Sequence, residues 1–459
     1  MPESVSTLKE YGVEDCDRDG TAQLHPGLVL LFSCGRPLAT VIRLGNNVIE
    51  LGRGTHGLPP DPRMSRQHAR VSFDGSRFLV TDLGSQNGTS CDGRRIRPYQ
   101  PVEIDRVLRM GDSLLCVLRD VQPMAEKGIL VEGGLLLGPS LQSLLAEVKQ
   151  AASFADTLHI RGESGTGKEL IAHTFHEHGP RPDGNFVAVN CAAIPQELAE
   201  RLLFGAYRGV YPSTGESTEG YIQAAAGGTL FLDDVGKLDL EVQAKLLRVL
   251  ETKELLPLGA SRPTTIELKV CSASSRDLKN QVAAGAFRED LYYRLGRPAV
   301  TIPPLRKRPE EVPWLIESIV RKNNTSAGLH SSLIETCLLR PWPGNIRELL
   351  VEIRSAAQAA KTQGSLQVDA RHLPDGAGSA LSSSQPPPGP ELMAATPRPP
   401  PPLDPVEQRR IEAALHANQG NVSATARALG VHRTQLRRLL VRYGLEPRRY
   451  GDRQAPDSD

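Results

Sequence analysis

The sequence has 459 residues and carries 54 lysines and arginines against 53 aspartates and glutamates, so its net charge is only +1. A near-neutral chain has no global field for nucleic acid or for an anionic membrane, and any basic surface must therefore be local. Its seven cysteines are scattered without a Cys-x-x-Cys pair, which argues against a disulfide framework or a zinc site, and no stretch approaches the ~20 apolar residues of a membrane helix.

The length predicts about three domains, and the unpaired cysteines suit a cytoplasmic protein. Residues 1–26 are polar and aperiodic, and we expect a flexible leader there. Over residues 27–119 short strand-like runs alternate with turn signals, which predicts a β-sandwich. These runs cover residues 28–33, 38–44, 48–51, 69–73, 78–83 and 113–118.

Polar residues of this segment gather in three loops, at Gly52-Arg53, Ser65-Arg66-Gln67-His68 and Asp82-Leu83-Gly84-Ser85-Gln86-Asn87-Gly88-Thr89. In this order they resemble the forkhead-associated (FHA) domain, which implies recognition of phosphothreonine peptides, either in a partner protein or in the chain itself. The resemblance implies that Arg53, Ser65 and Arg66 hold the phosphate by charge-assisted hydrogen bonds. It implies that Asn87 fixes the peptide backbone. The alternative is that Asn87-Gly88 is only a hairpin turn and Arg53 a solvated charge.

A glycine-rich loop follows an apolar-leaning run at residues 157–160 and precedes a helical pattern. It reads Gly162-Glu163-Ser164-Gly165-Thr166-Gly167-Lys168-Glu169. The glycines let several backbone N–H groups point at a polyphosphate, while the helix dipole and the Lys168 ammonium add positive charge. Glu169 stands where a serine or threonine usually contacts magnesium. Ordinary turn chemistry is the alternative.

The downstream sequence favours the nucleotide site. A buried-type strand that starts near Gly227 ends in Asp233 and Asp234, and two carboxylates at a strand end suit a magnesium ion and a polarised water beside phosphates. Strands and helices alternate over residues 128–308. This alternation predicts a mostly parallel sheet between helices, with the ligand at the carboxyl ends of the strands.

Together these motifs resemble the AAA+ ATPase module of bacterial enhancer-binding proteins, which activate sigma-54 RNA polymerase. Further matching stretches cover residues 186–194, 243–250, 287–295, 303–308 and 342–349. The resemblance implies ATP and Mg²⁺ as cofactors, with Lys168 on the β and γ phosphates and Asp233 on the metal. It implies that Asp234 orients the attacking water, with Asn190 as its switch partner. It also implies a helical lid over residues 309–373, from which Arg347 senses the γ-phosphate.

Two arginines are candidate arginine fingers on the same resemblance. Arg288 and Arg294 would reach into the site of a neighbouring subunit, which requires a head-to-tail ring of identical chains. For Arg294 an ordinary surface ion pair is an equal alternative.

The sequence departs from the family pattern in three places. Family members carry Glu where Asp234 stands and Asn where Ser275 stands, so we expect slow turnover. The loop of the family that contacts sigma-54 reads Gly-Ala-Phe-Thr-Gly-Ala, whereas this chain has Gly209-Val210-Tyr211-Pro212-Ser213-Thr214. Because Pro212 fixes φ and removes a backbone donor, engagement of sigma-54 polymerase is in doubt.

Residues 374–402 are rich in Gly, Ala, Ser and Pro, which predicts a semi-extended linker. Residues 403–447 have the spacing of a helix-turn-helix and resemble the Fis-type DNA-binding domain, with residues 448–459 as a tail. Paired domains of this kind predict an inverted-repeat site. The predicted DNA-binding residues are His432, Arg433, Thr434, Gln435, Arg437, Arg438 and Arg442. A solvated basic helix is the alternative.

The predicted fold class is multidomain: an FHA β-sandwich, an α/β AAA+ ATPase with a helical lid, and an all-α helix-turn-helix. The predicted function is a phosphopeptide-responsive, ATP-dependent bacterial transcription regulator of the sigma-54 type. The alternative is a nucleotide-gated DNA-binding regulator that never remodels sigma-54 polymerase. An AAA+ unfoldase outside transcription would leave the helix-turn-helix without a task.

Overall fold

A computed structural model describes residues 24–44, 48–132, 135–207, 217–323, 327–380 and 405–431, together with Leu436, Leu440 and Leu445. The chain forms two compact units, Met1–Ser382 and Ser383–Asp459, and each is described by itself. Among the described helices, none combines the length and the apolar character that crossing a lipid bilayer requires.

The first unit opens with a two-sheet sandwich and a short helix. Its elements are β1 (Gly27–Ser33), β2 (Arg36–Arg43), β3 (Val48–Leu51), β4 (Ala69–Phe73), β5 (Phe78–Asp82), β6 (Thr89–Cys91), β7 (Arg94–Arg95), β8 (Pro101–Ile104), β9 (Val107–Met110), β10 (Ser113–Leu118) and α1 (Gln122–Lys127). One sheet has the order β2-β1-β10-β9-β6-β7 and the other β3-β4-β5-β8. Leu30, Val71, Val80 and Leu115 are fully buried in the core of the sandwich. The predicted β-sandwich is confirmed.

The sequence pattern does not predict β6 to β9. These strands are only two to four residues long, and β7 consists of two exposed arginines. A pattern of alternating apolar residues needs a longer window than such strands provide.

Strand β1 is buried along its whole length because both of its faces are covered. Leu28 and Leu30 belong to the core of the sandwich, whereas Val29, Leu31 and Phe32 belong to a second core. A strand covered on both faces needs a continuous apolar run rather than an alternating one. The second core is shared with the helical lid described below.

The middle of the unit is an α/β layer. Its elements are β11 (Leu130–Glu132), β12 (Leu135–Leu137), α2 (Pro139–Phe154), β13 (Thr157–Arg161), α3 (Lys168–Glu177), β14 (Phe186–Asn190), α4 (Gln196–Phe204), α5 (Tyr221–Ala224), β15 (Thr229–Asp233), α6 (Leu240–Thr252), β16 (Glu254–Leu255), β17 (Thr264–Thr265), β18 (Lys269–Ser274), α7 (Leu278–Ala283), α8 (Glu289–Leu295) and β19 (Ala299–Thr301). Five strands form a parallel sheet in the order β14-β15-β18-β13-β19. Parallel pairing brings the ends of β13, β15 and β18 to one edge, which confirms the predicted sheet.

The lid follows as three helices with short strands. Its elements are α9 (Val312–Lys322), β20 (Gly328–Leu329), α10 (Ser331–Leu339), α11 (Asn345–Thr362) and β21 (Gln367–Val368). Trp342 is 1% exposed, and its indole N–H donates to the Cys337 carbonyl at 2.7 Å. The lid core also contains Val29 and Phe32 of the sandwich. The sandwich and the lid therefore share one hydrophobic core.

The second unit is helical where it is described. Helix α12 (Pro405–Ala417) precedes α13 (Val422–Leu429), which begins after Asn421. The Asn421 carboxamide oxygen accepts from the backbone N–H groups of Ser423 and Ala424. Gly430 ends the helix at φ 69°, a left-handed conformation that glycine adopts without strain. A small core joins both helices with two further leucines, from the set Ile411, Leu415, Ala426, Leu436 and Leu440.

Candidate functional site

The predicted phosphate loop lies between β13 and α3. Gly165 and Gly167 have φ values of 76° and 103°, a region that favours glycine. The approach of the lid adds a steric reason at Gly165, because a Cβ there would lie 2.2 Å from the Gly344 carbonyl oxygen. Helix α3 begins at Lys168 directly after the left-handed Gly167. Its first N–H groups therefore face the loop, as anion binding at a helix N-terminus requires.

Lys168 connects the loop to the carboxylate strand. Its side chain is 8% exposed, and its Nζ lies 3.4 Å from the Gly162 carbonyl and 3.8 Å from Asp233 Oδ1. Burial raises the pKa of the Asp233 carboxyl, while the nearby Lys168 ammonium opposes that rise. A partly buried carboxylate beside a lysine suits a divalent cation and a phosphate chain, since added positive charge would offset the cost of burial.

Asp234 follows directly with a left-handed backbone, at φ 51°. The Ser275 hydroxyl donates to Asp234 Oδ1 at 3.0 Å. Asn190 ends the neighbouring strand opposite Asp233, but its side-chain oxygen accepts from the Ala192 N–H at 3.0 Å. Among the described contacts Asp234 pairs with Ser275, and the switch role of Asn190 stays a prediction. The sequence identifies Ser275 only as a departure from the family pattern. It does not reveal that Ser275 is the hydrogen-bond partner of Asp234.

The first turn of α11 contacts the phosphate loop. Arg347 Nη1 donates to Ser164 Oγ at 3.1 Å, and the Ile346 N–H donates to the Gly165 carbonyl at 3.1 Å. Asn345 is fully buried and donates to the Ser164 carbonyl at 3.0 Å. Its carboxamide oxygen also accepts from the Leu305 N–H at 2.8 Å. Asn345 therefore links the lid to the phosphate loop by a hydrogen bond.

Arg306 holds the other side of the loop. Its guanidinium makes a two-pronged contact with the Glu163 carboxylate at 2.6 and 2.8 Å. Hydrogen bonding from Arg306 is the main reason that the pKa of Glu163 is lowered. Sequence reasoning assigned no role to Arg306 or Asn345. Both lie in stretches that match the family, which was the available signal.

The candidate fingers lie elsewhere. Arg288 donates to both carboxylate oxygens of Asp290, at 3.0 and 2.7 Å, and lines a separate open cavity with Tyr293. Arg294 donates to the Leu250 carbonyl at 3.0 Å. Neither arginine has a contact with the phosphate loop among the described residues of its own chain.

The FHA-like loops meet through hydrogen bonds that each involve at least one backbone group. The Arg53 N–H donates to the Ser65 carbonyl at 3.0 Å, and Ser65 Oγ accepts from the Gln86 N–H at 3.0 Å. Asn87 Nδ2 donates to the Arg63 carbonyl at 2.7 Å. These bonds bring the three predicted loops together and leave the side chains of Arg53 and Arg66 exposed.

His68 and Gly52 keep these loops close to one another. The fully buried His68 ring accepts the Ser65 N–H at Nδ1 (3.0 Å), so its proton lies on Nε2, 3.3 Å from the Gly88 carbonyl. Burial lowers the pKa of His68, in keeping with this neutral form. A Cβ at Gly52 would lie 1.8 Å from the Arg66 carbonyl oxygen.

Two predicted sets lie outside the described residues. One is the loop at residues 209–214, and the other contains His432, Arg433, Thr434, Gln435, Arg437, Arg438 and Arg442. The described flanks of the loop pair with each other, because Ala206 and Thr218 exchange backbone hydrogen bonds at 2.9 and 2.8 Å.

A phosphate loop and a carboxylate-ended strand on a parallel sheet, closed by a helical lid, define the AAA+ class of nucleotide-binding proteins. Residues 137–301 match the family profile of the sigma-54 interaction domain. Residues 35–111 match the FHA domain, and residues 402–443 match the Fis family of bacterial regulatory proteins.

Two curated relatives are similar over long stretches. The chain is 38% identical over 418 residues to the anaerobic nitric oxide reductase transcription regulator NorR of Aeromonas salmonicida, covering 85% of this chain and 81% of the relative. It is 41% identical over 313 residues to the acetoin catabolism regulatory protein of Cupriavidus necator, covering 66% of this chain but only 46% of that protein. The ATP complex of NtrX from Brucella abortus is 28% identical, with a TM-score of 0.49 and coverage of 69% of this chain and 70% of that one. The chain belongs to the family of bacterial transcription regulators that carry the sigma-54 interaction domain.

Proposed function

We propose that the protein is an ATP-dependent transcription regulator of the sigma-54 type that responds to a phosphothreonine-containing partner. The observation that carries the proposal is that Lys168 of the glycine-rich loop lies 3.8 Å from Asp233, next to Asp234, while Arg347 of the lid donates to Ser164 of the same loop. This set provides a phosphate-binding cation, a metal ligand, a water-orienting carboxylate and a lid arginine. Those are the parts that phosphoryl transfer to water requires.

The chemistry assigned to each residue follows from its position. Lys168 exchanges its long contact with the Gly162 carbonyl for the β and γ phosphates. Asp233 would hold Mg²⁺, and Asp234, which accepts a hydrogen bond from Ser275, would orient the attacking water. ATP supplies the phosphoryl group that is transferred.

The ATP site is completed by Arg347 and by the other residues of the phosphate loop, Gly162, Glu163, Ser164, Gly165, Thr166, Gly167 and Glu169. Arg347 donates to Ser164 of the loop at 3.1 Å, and we assign it to the γ-phosphate of bound ATP. Because Arg347 belongs to the lid, the lid would respond to ATP binding.

Subunit contact completes the site in this proposal. Arg288 and Arg294 serve the neighbouring subunit, because within one chain they contact Asp290 and Leu250 rather than the phosphate loop. A finger supplied by a neighbour requires a head-to-tail ring. Hydrolysis would then depend on assembly, and Asn190 would switch Asp234 when the neighbour arrives.

The two flanking domains recognise the phosphorylated partner and the DNA site. A phosphothreonine peptide binds to Arg53, Ser65, Arg66 and Asn87. The exposed arginines and the joined loops form a surface for charge-assisted hydrogen bonds. The helix-turn-helix binds an inverted repeat in DNA, which locates the protein in the bacterial cytoplasm. We keep the domain limits at residues 27–119, 128–308, 309–373 and 403–447.

An ATPase assay on the purified full chain tests this function. We expect Mg²⁺-dependent turnover that rises with protein concentration, because the fingers act between subunits, and that responds to operator DNA. Lys168→Ala should lose both turnover and the ATP-dependent assembly seen by sedimentation with a non-hydrolysable analogue. Lys149→Ala, on the exposed face of α2, is the matched control. Equal assembly of wild type and Lys168→Ala would refute the nucleotide-gated ring.

Two departures from the family sequence favour a second function. The sequence at residues 209–214 lacks the Thr-Gly-Ala end of the family loop, and Asp234 is one methylene shorter than the family glutamate. A protein with these changes can use ATP to set its assembly on DNA without remodelling sigma-54 polymerase. Normal ATP-dependent assembly and DNA binding without open complexes would favour this function.

A further inference from the structure

We propose that the FHA sandwich has a second anion pocket beside its phosphopeptide loops. We further propose that an anionic group in this pocket competes with Glu335 of the lid for Arg109. The idea rests on the proposed function, because the anion is a second acidic group on the phosphothreonine peptide. It would make peptide binding loosen the contact between sandwich and lid.

The pocket is a cavity of about 210 Å³ whose lining includes Arg63, Arg95 and Arg109. Its remaining lining residues are neutral, and they include Asn87 and Ser90. Because Asn87 is also a predicted peptide contact, the pocket adjoins the phosphopeptide loops. Forked guanidinium groups match carboxylates and phosphates in two-pronged hydrogen bonds, so the chemistry selects an anion.

The arginines differ in how firmly they are held. Arg95 makes no ion pair with the described residues and packs over Gly88, where a Cβ would lie 2.5 Å from its Nε. Arg63 Nη1 is 3.4 Å from Asp112 Oδ1, with its side chain 54% exposed, and such pairs are weak. Arg109 Nη1 contacts Glu335 Oε2 at 2.8 Å, with the two side chains only 24% and 12% exposed.

Both carboxylates that face these arginines are tied to α10. Glu335 lies on that helix, and Asp112 Oδ1 accepts from the Ser331 hydroxyl at its start, at 3.0 Å. Ser331 and Glu335 are one helical turn apart, so they present their side chains on the same face. An anion that recruits Arg109 would therefore weaken its ion pair with Glu335, which is one polar contact between α10 and the sandwich, while Asp112 keeps its contact with Ser331.

The affected helix leads to the ATP site. Helix α10 shares the lid core with α11, and the first turn of α11 contacts Ser164 through Asn345 and Arg347. Anion binding and release of α10 are then coupled, and by linkage each strengthens the other. The sandwich would report peptide binding to the lid through Arg109.

Fluorescence anisotropy on the full chain tests the pocket. The probes are phosphothreonine peptide pools in which one flanking position is fixed as Glu, phosphoserine or Gln and the others are degenerate. At one position we expect the Glu or phosphoserine pool to bind about tenfold more tightly than the Gln pool. Arg95→Gln should abolish this preference without weakening the Gln pool. Arg94→Gln is the matched control, since adjacent residues of a strand point to opposite faces.

Competition with the lid has its own readout. Glu335→Gln should raise affinity for the preferred anionic pool about threefold or more and leave the Gln pool unchanged, because Arg109 loses its internal partner. Backbone hydrogen exchange in α10 should quicken with the anionic pool but not with the Gln pool. A Glu335→Gln variant with wild-type preference and exchange would overturn the competition.

The outcomes separate this inference from the proposed function. Equal binding of all pools, lost in Arg53→Ala, would overturn the anion pocket and leave phosphothreonine binding standing. No binding of any pool would overturn both. A preference for phosphoserine over Glu would identify a doubly phosphorylated partner, and the reverse preference an acidic sequence.

Discussion

The hydroxyl of Ser275 donates a hydrogen bond to Oδ1 of Asp234 at 3.0 Å. The contact joins the ends of β18 and β15, which are neighbours in the parallel sheet. The resemblance places Asn and Glu at these positions, so the chain has a shorter side chain on both sides of the contact. The hydrogen bond is made although both of its partners are shorter than the family residues. The contact restrains the carboxylate that we assign to the attacking water.

We expect Ser275→Ala to lower the kcat for ATP hydrolysis by about 3- to 30-fold and to leave the KM for ATP nearly unchanged. The physical reason is that a carboxylate without its hydrogen-bond partner loses orientation rather than affinity for nucleotide. Steady-state ATPase kinetics measure both constants. Ser153→Ala, at an exposed position of α2, is the control. A rise in KM without a fall in kcat would contradict the assignment.

Arg53→Ala should reduce the affinity for phosphothreonine peptides by at least about tenfold, because one charge-assisted contact to phosphate is lost. The melting temperature should stay within about 1–2 °C of wild type, since an exposed loop arginine contributes little to the core. Arg36→Ala is the matched control, because Arg36 is also exposed but lies on β2, at the opposite edge of its sheet from β6 and β7. Anisotropy titration decides, and equal affinity of Arg53→Ala and wild type would remove Arg53 from the site.

Much of this architecture could be predicted because its signals are local. The turn from β13 through Gly165 and Gly167 into α3 depends on residues adjacent in the chain. The same holds for Asn421, which begins α13 by accepting from its own next turn. Local backbone chemistry leaves a readable pattern even in a single sequence.

The contacts that hold the lid could not be predicted in this way. Asn345 contacts Glu163 and Ser164 across more than 180 residues of chain, and its role depends on how the lid packs. The outer face of β1 is a similar case. Its apolar run is compatible with any buried strand, and only the packed structure shows that Val29 and Phe32 join the core of the lid.

Glu310 makes the stability of the lid depend on pH. Burial raises the pKa of this carboxyl from its usual 4.5 to about 7, with Glu311 adding to the rise and Arg308 opposing it. The folded state therefore binds this proton more tightly than the unfolded state. The free energy of unfolding should fall by about 1–3 kcal/mol as the pH rises from about 4.5 to about 7.

Glu310→Gln should remove that part of the pH dependence and stabilise the lid at pH 8 relative to wild type. The two tryptophans of the chain, Trp314 and Trp342, both lie in the lid, so their fluorescence during urea unfolding reports this region. Glu177→Gln, an exposed glutamate at the end of α3, is the control. An identical fall in stability between pH 5 and pH 8 in wild type and Glu310→Gln would contradict the assignment to Glu310.

We expect the unmodified protein, with its own sequence at residues 209–214, to form little or no open complex with sigma-54 polymerase. Its described flanks are anchored, since Ala206 pairs with Thr218 and the Tyr207 N–H donates to the Leu258 carbonyl at 2.9 Å. In the proposed ring, these contacts would carry ATP-driven motion to the base of the loop. The tip, however, has Pro212, which fixes φ, and lacks the glycine that gives the family tip its backbone freedom.

Restoring the family sequence by Tyr211→Phe, Pro212→Thr, Ser213→Gly and Thr214→Ala should create or raise activation. Asp234→Glu should separately raise ATP turnover without changing the loop. In vitro transcription from an enhancer-linked sigma-54 promoter measures the first effect, and the restored loop combined with Lys168→Ala is the control that removes the motor. Because the restored loop and the intact motor are both needed to remodel the polymerase, neither should suffice alone. Strong open-complex formation by the unmodified protein would refute the proposal and make residues 209–214 a working variant of the family loop.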